Sequence, residues 1–377
     1  MESAAQASGL SDQPGERTLD IAYLCLQVTK EGQASYAHVH EIVGGLKELG
    51  HTVTLYEPRH LKRYGPLVRA CEFVRTQRRM QREARGADVV YYRAHFATLL
   101  SLLWARRRGI PTVLEVNGPY EDLFIAWPRT RYLRPLFEWM MGTQYRRADA
   151  LVTVTPGLQR WLAEETGRHG VFVVPNAANH RLFQPEASPP DGLPDRYVTF
   201  VGALAVWQGI PHVLEAVGLP EWPDDVSLLI AGAGAQREMV LEAAGKNERV
   251  VYLGRRPYTD IPGILCGSIA ALVPMTDYRG RSNTGLSPLK LYEAMACGVA
   301  VVATDFPGQS ELLRDEQCGI VIPPEDPSAI ARAVRTLAED PEAARAMGER
   351  GRKAVEREHS WVKRAEQTAG ILLRVAR

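Results

Sequence analysis

The sequence predicts an α/β protein of two doubly wound, parallel-sheet domains that face each other across a central cleft. Three observations carry that prediction. At 377 residues the chain exceeds what one hydrophobic core usually serves, so two domains of ordinary size are expected. Twelve short apolar runs alternate with helix-like segments, the pattern of parallel strands covered by helices on both faces. The alternation breaks once, at NAANHRLFQPEASPPDGLPDR (residues 176–196), a stretch rich in Pro, Asn and Asp, and then restarts.

The elements follow in order. Residues 1–18, MESAAQASGLSDQPGERT, are polar and carry acids, so they read as a flexible tail and not as a secretory signal. LDIAYLCL opens the first domain, expected over 19–190, as a buried strand. YAHVHEIVGGLKELG is an amphipathic helix closed by Gly50. HTVTLY, ADVVYY, PTVLEV, ALVTVT and GVFVVP supply the remaining strands. The second domain, expected over 191–360, repeats the scheme with YVTFVGA, VSLLIAGAG, RVVYLG, SIAALVP, VAVVATD and GIVIP. The chain ends in helix, and residues 361–377 are expected to cross back onto the first domain. Loops at the carboxyl ends of both sheets would line the cleft, where open parallel sheets bind ligands.

Composition narrows the class. Hydrophobic residues make up 45% and charged residues 24%, and no apolar run approaches the roughly 20 residues that span a bilayer. The five cysteines are an odd number, mostly within apolar segments and without metal-ligand spacing, which reads as reduced core thiols of a cytoplasmic protein. There is no P-loop, HExxH or GxSxG, and GAGAQR (Gly232 to Arg237) reads better as a strand-to-helix turn than as half a dinucleotide fingerprint. Charge is uneven: 24 basic against 19 acidic residues up to residue 190, then 21 against 25. Residues 59–85 alone carry nine Lys/Arg against two Glu. That stretch is either a solvated face or a peripheral contact with anionic headgroups at the inner membrane surface. LFIAWPRTRYLRPLFEWMM (residues 123–141) interleaves Trp, Phe and Arg and fits either a membrane-facing segment or a loop and core helix. No nucleic-acid partner is expected.

The stretch GLSPLKLYEAMACGVAVVATD, residues 285–305, is the most informative. Ser287 suits an N-cap, Pro288 the first helical position and Gly298 the helix end, which predicts a helix over 288–297. Lys290 falls in its first turn, where exposed N–H groups favour an acid, and Glu293 follows three residues later. Two readings stand: a bound anion at the helix start, or a solvated Lys–Glu pair.

Taken in order, six segments resemble the retaining glycosyltransferases of family 4, which have the GT-B architecture of two facing Rossmann-like domains. They are EGQASYAHVHEIVGGLKELGHTV, VVPNAANHRLFQP, FVGALAVWQGIPHVLEA, LLIAGAGAQRE, VVYLGRRPYTDIP and SPLKLYEAMACGVAVVATD. The resemblance implies that Glu293 binds the ribose hydroxyls of a nucleotide donor. It implies that Lys290 and the backbone around Leu286, Ser287 and Leu289 meet the diphosphate. Gly254 and Arg255 would lie beside the base, and Gly202 and Gly32 would line the donor site.

The departures are specific. The family's first donor glutamate is replaced by Gly285, its Arg and Lys after the first strand of the second domain by Ala203 and Gln208, and a common histidine by Asn117. Arg279, Arg281 and the amides of Gly285 and Leu286 are the candidates to compensate. In the first domain His95 and Asn117 are the candidate catalytic groups, Arg93, Glu115 and Tyr120 the candidate acceptor contacts, and His38 reads as structural. The implied chemistry is metal-independent transfer with retention, needing no cofactor beyond a nucleoside-diphosphate sugar, UDP or GDP. The acceptor would be a sugar, a lipid-linked glycan or a small molecule. The competing reading is a non-catalytic binding protein for nucleotide sugars or glycans on the same fold.

Overall fold

The computed structural model describes residues 17–30, 33–59 and 65–377. The expected tail falls outside them apart from its last two residues.

The N-terminal half runs β1 (Asp20–Leu24), α1 (Ala34–Glu48), β2 (Thr52–Tyr56), α2 (Pro66–Glu83), β3 (Val89–Arg93) and α3 (Leu99–Arg107). It continues with β4 (Thr112–Val116), α4 (Glu121–Ala126), α5 (Arg134–Arg147), β5 (Ala150–Thr153), α6 (Pro156–Thr166) and β6 (Val171–Val173). All six strands are parallel, in the order β2-β1-β3-β4-β5-β6.

After an irregular connection the C-terminal half runs β7 (Tyr197–Val201), α7 (Ile210–Val217), β8 (Ser227–Ala231), α8 (Arg237–Lys246), β9 (Val250–Gly254) and α9 (Ile261–Cys266). Then come β10 (Ala270–Val273), α10 (Leu289–Ala296), β11 (Ala300–Thr304), α11 (Gln309–Glu316) and β12 (Gly319–Ile322). Its parallel order is β12-β11-β10-β7-β8-β9. The helices α12 (Pro327–Glu339), α13 (Pro341–Arg357) and α14 (Trp361–Val375) close the chain, each capped by the side chain before it: Asp326, Asp340 and Ser360.

The strands form because their residues are apolar, often β-branched, and covered on both faces. Every residue of β4 and β11 is buried. In each sheet the direction of strand addition reverses beside the first strand, between β1 and β3 and between β7 and β10. Such reversals open a crevice at the carboxyl ends of the strands. Gly209 holds the second crevice in shape. Its φ is +69°, and a Cβ there would sit 1.6 Å from the carbonyl oxygen of Pro274, so the loop after β7 lies directly on the end of β10.

The last helix packs on the other half of the molecule. Trp361, Ala369, Ile371 and Leu372 of α14 share a core with Ile21, Val39, Ile42 and Leu46. GAGAQR forms the turn between β8 and α8. Cys25, Cys297 and Cys318 are buried, whereas Cys71 is exposed on α2, against the expectation of core thiols.

Candidate functional site

The C-terminal crevice brings Lys290 and Glu293 together on one turn of α10. The helix begins at Leu289, with Pro288 as its N-cap residue and without a side-chain cap, so the expected Ser287 cap is not formed. Ser287 is engaged elsewhere: its Oγ accepts from Asn176 N at 3.1 Å and lies 3.0 Å from Tyr292 Oη. Gly298, with φ of +69°, ends the helix as expected.

The solvated Lys–Glu pair is corrected too. Glu293 is 7% exposed and accepts from the Tyr258 hydroxyl at 2.7 Å. Burial pushes its carboxyl up to about 7, against the Tyr258 hydrogen bond and the Lys290 charge. The Lys290 ammonium donates to Gln208 Oε1 and lies 3.9 Å from the Phe200 ring centroid. Burial pushes it down to about 7, with Glu293 opposing. Gln208 thus does not simply lack a charge. Its amide oxygen receives the one lysine, where a second lysine would repel it. Gly202 adjoins the ammonium, for a Cβ there would lie 3.6 Å from Nζ.

Other expected donor contacts fare differently. Gly285 has φ of +81°, and a Cβ there would lie 3.2 Å from the Pro307 carbonyl and from Thr155 Cβ. A glutamate would be strained at that position. The amides expected to compensate are already used: Gly285 N donates to Ser282 O at 2.8 Å and Leu286 N to Pro307 O at 2.7 Å. The Leu289 side chain packs into the core shared with the N-terminal sheet. Gly254 ends β9 with φ of +70°, and Arg255 follows it, exposed. Arg279 is exposed and lies 5.1 Å over Tyr278, which neighbours Trp207 in the loop after β7. Gly32 falls outside the described residues, as does the side chain of Arg281.

On the N-terminal side Glu115, 1% exposed at the end of β4, gathers five donors. Arg93 Nη1 is at 2.6 Å, Tyr91 Oη at 2.7 Å, His38 Nε2 at 3.0 Å and Tyr23 Oη at 3.3 Å, and Asn117 Nδ2 completes the set. Burial alone would raise the carboxyl, but His38, Arg93 and Asn117 hold it well below the usual carboxylate range. Arg93, Glu115 and Asn117 are therefore one cluster, joined by His38, which sequence reasoning had set aside.

His95 and Tyr120 sit elsewhere. His95 caps the 3-10 turn Phe96–Thr98, its Nδ1 accepting from Ala97 N, between the rings of Phe73 and Phe96. Burial and the charge of Arg69 push it down to about 4, so it is neutral. Tyr120 is buried between Tyr145 and Trp161, and its hydroxyl donates to Glu165 at 3.1 Å. It packs in the core of the N-terminal half, outside the Glu115 cluster.

The two clusters adjoin. Asn176 Oδ1 is 2.8 Å from His38 Nδ1, and Asn176 Nδ2 donates to the carbonyl of Ser287 at 2.6 Å. Thr155 Oγ1 donates to the carbonyl of Thr284. Tyr258, Gln208 and Asn176 were missed as functional partners, although all three lie inside the quoted segments.

Similarity to known proteins follows the same division. The family profile "Glycosyl transferases group 1" matches residues 185–354, and "Glycosyltransferase Family 4" matches residues 37–182. The chain is 30% identical over 309 residues to a GDP-mannose-dependent monoacylated alpha-(1-6)-phosphatidylinositol monomannoside mannosyltransferase of Corynebacterium glutamicum, covering 76% of this chain and 77% of that protein. It is 27% identical over 329 residues to the alpha-maltose-1-phosphate synthase of Mycolicibacterium smegmatis, covering 79% and 81%. Among solved structures, sucrose-phosphate synthase of Thermosynechococcus elongatus superimposes with a TM-score of 0.75 at 18% identity, covering 94% of this chain and 98% of that one. Anabaena HepE in complex with UDP-glucose gives 0.70 at 17%, covering 94% and 100%. These structures share the GT-B fold.

Proposed function

Because this chain belongs to the group 1 and family 4 glycosyltransferases, we propose that it moves a sugar from UDP or GDP to an acceptor hydroxyl, without a metal and with retention. The observation that carries the donor reading is the pairing of Lys290 and Glu293 on one turn of α10, at the switch point of the C-terminal sheet. An ionised Glu293 accepts from the two ribose hydroxyls, and a protonated Lys290 meets the diphosphate. HepE is solved with UDP-glucose and the corynebacterial relative is named as GDP-mannose-dependent, so both bases are carried forward.

In the proposed reaction the bond from the anomeric carbon to the phosphate oxygen breaks, and the nucleoside diphosphate leaves with the electron pair. Lys290 stabilises the charge that develops there. The acceptor oxygen attacks from the face just vacated, and its proton passes to the departing phosphate oxygen. Asn117, whose Nδ2 is held by Glu115, turns its carbonyl oxygen to the acceptor. His95 has no part in this scheme. The test is incubation with UDP- and GDP-sugars in EDTA. Product of unchanged anomeric configuration is expected. An inverted product, or one that requires added metal, contradicts the mechanism. Nucleotide binding without turnover favours the non-catalytic reading, which the replacement of donor residues by Ala203 and Gly285 suggests.

The acceptor side carries a face suited to an anionic bilayer. Leu67 of α2 is 82% exposed, and Tyr132 and Trp139 near and on α5 are 88% and 58% exposed. Arg69 of α2 lies 4.5 Å from the ring centroid of Trp127, the residue that follows α4. An open groove of about 750 Å³ beside α2 is lined by Val74, Arg75, Arg78, Arg82, Arg85 and Trp104. Arginines beside interfacial aromatics match a surface of anionic headgroups. Among the described residues no helix is long and apolar enough to cross a membrane. A sugar or glycan on a lipid carrier is then the favoured acceptor.

A further inference from the structure

A chain of side chains ties α1 to the start of the donor helix, and the proposed transfer leaves it unused. His38 lies on the buried face of α1, 5% exposed. Its Nε2 is 3.0 Å from Glu115 Oε1 and its Nδ1 is 2.8 Å from Asn176 Oδ1. Asn176 follows β6 and reaches the turn before α10, where Nδ2 donates to Ser287 O at 2.6 Å and the backbone N–H to Ser287 Oγ at 3.1 Å.

Hydrogen-bond bookkeeping fixes the direction of each link. A backbone carbonyl cannot donate, so the amide nitrogen of Asn176 must face Ser287 O and its oxygen must face His38. Turning the amide over would set oxygen against oxygen at Ser287. Glu115 is likewise an acceptor only, because Arg93 and Asn117 Nδ2, which can only donate, share its Oε1, and the hydroxyls of Tyr91 and Tyr23 donate to its Oε2. Both ring nitrogens of His38 therefore meet acceptors, and each has to donate.

We propose that His38 is a positioning residue for glycosyl transfer: as an imidazolium carrying both ring protons, it fixes Glu115 on the acceptor side and, through Asn176, the Ser287 turn from which the donor helix starts. Only what the link positions rests on the donor reading given above. The proton count does not.

The charged neighbours act in both directions: the Glu115 carboxylate favours a protonated ring, and the Arg93 guanidinium on the same oxygen opposes it. From α14, Trp361 presents an edge to the imidazole at 5.1 Å between centroids, and Arg364 Nε lies 3.5 Å from the Asn176 carbonyl. On the next turn of α1, Glu41 is taken by Asn179 Nδ2 at 2.8 Å. Glu115 is thus the carboxylate bonded to the ring, and removing the ring leaves both Glu115 and Asn176 short of a partner inside the protein.

Two measurements test this. In protein labelled with ¹⁵N-histidine, the long-range ¹H–¹⁵N spectrum at neutral pH identifies His38 by the signals lost in His38→Gln. Both ring nitrogens protonated is the expected pattern, and one bare nitrogen overturns the assignment. The dissociation constants of UDP and GDP are then measured for the full-length protein, for His38→Gln, for Asn176→Ala and for the double variant. Each single change should weaken the nucleotide that binds by roughly tenfold, and the double should be no worse than the stronger single. Unchanged affinity, or effects that add, overturns the positioning role. Thermal unfolding of the nucleotide-free variants separates lost affinity from lost folding, and Asn176→Ala keeps the test alive if His38→Gln does not fold. If the unaltered protein binds neither nucleotide, the donor reading falls and the positioning role with it, while the nitrogen spectrum still decides the imidazolium.

Discussion

Lys290 and Glu293 stand one turn apart on α10, and each is held by a residue from another loop: Lys290 by Gln208, Glu293 by Tyr258. Burial brings the two groups to about the same place, the lysine down to about 7 and the glutamate up to about 7. Near neutral pH neither charge is fixed by the protein's own groups alone. A diphosphate would complete the lysine's charge, and ribose hydroxyls would complete the glutamate's.

The first expected outcome concerns stability against pH in the absence of nucleotide. Glu293 rises from an ordinary 4.5, so between 4.5 and about 7 the folded state binds more protons and this group's contribution falls as pH rises. Lys290 drops from an ordinary 10.5, so between about 7 and 10.5 the unfolded state binds more protons and its contribution rises with pH. Urea midpoints compared with Glu293→Gln should show the falling limb removed, and with Lys290→Met the rising limb removed. Parallel curves for wild type and variants would contradict the burial argument.

Glu293→Ala should weaken nucleoside diphosphate binding by roughly 30-fold or more, about 2 kcal/mol, the value of hydrogen bonds to a charged group. Calorimetric titration reads it. Near-normal affinity would remove Glu293 from the ribose.

Lys290→Ala should separate phosphate from nucleoside. UDP or GDP should weaken by roughly 30-fold and the matching nucleoside by less than about threefold. Equal losses for both would refute the diphosphate role.

His95→Ala should act on folding and not on the donor site. Loss of its cap on the 3-10 turn Phe96–Thr98 and of its ring contacts should cost about 1 kcal/mol or somewhat more in a denaturant titration. Nucleotide affinity should be unchanged, and a large drop in it would return His95 to the candidate site.

Vesicle co-sedimentation addresses the acceptor face. Binding to phosphatidylglycerol-containing vesicles, weaker on pure phosphatidylcholine, is expected. Trp139→Glu or Arg78→Glu with Arg82→Glu should release the protein, while Met239→Glu, an exposed site on α8, should not. Equal behaviour of all variants would sink the bilayer reading.

The fold was legible because its signals are local. Twelve apolar runs such as TVLEV and AVVAT became twelve strands, and Gly298 closed α10 where its φ permits. Lys290 and Glu293 were legible from spacing on one helix. What stayed hidden depends on partners distant in sequence. Ser287 looked like a cap and is instead held by Asn176, 111 residues away, and Gln208 looked like a loss and instead receives Lys290. His38 fitted an amphipathic face equally well whether its ring met carbon or Glu115. Tyr120 followed a strand end, as pocket residues do, but packing on Tyr145 and Trp161 carried it into the core.

The most direct measurement is thermal unfolding of the purified protein with UDP, GDP, ADP, dTDP and CDP, each in excess. A nucleotide at about 100 times its dissociation constant adds about 2.7 kcal/mol, a rise of several degrees for domains of this size. A donor site built on Lys290 and Glu293 predicts that UDP or GDP raises the midpoint and that Glu293→Ala cancels the rise. No shift with any of the five would contradict it.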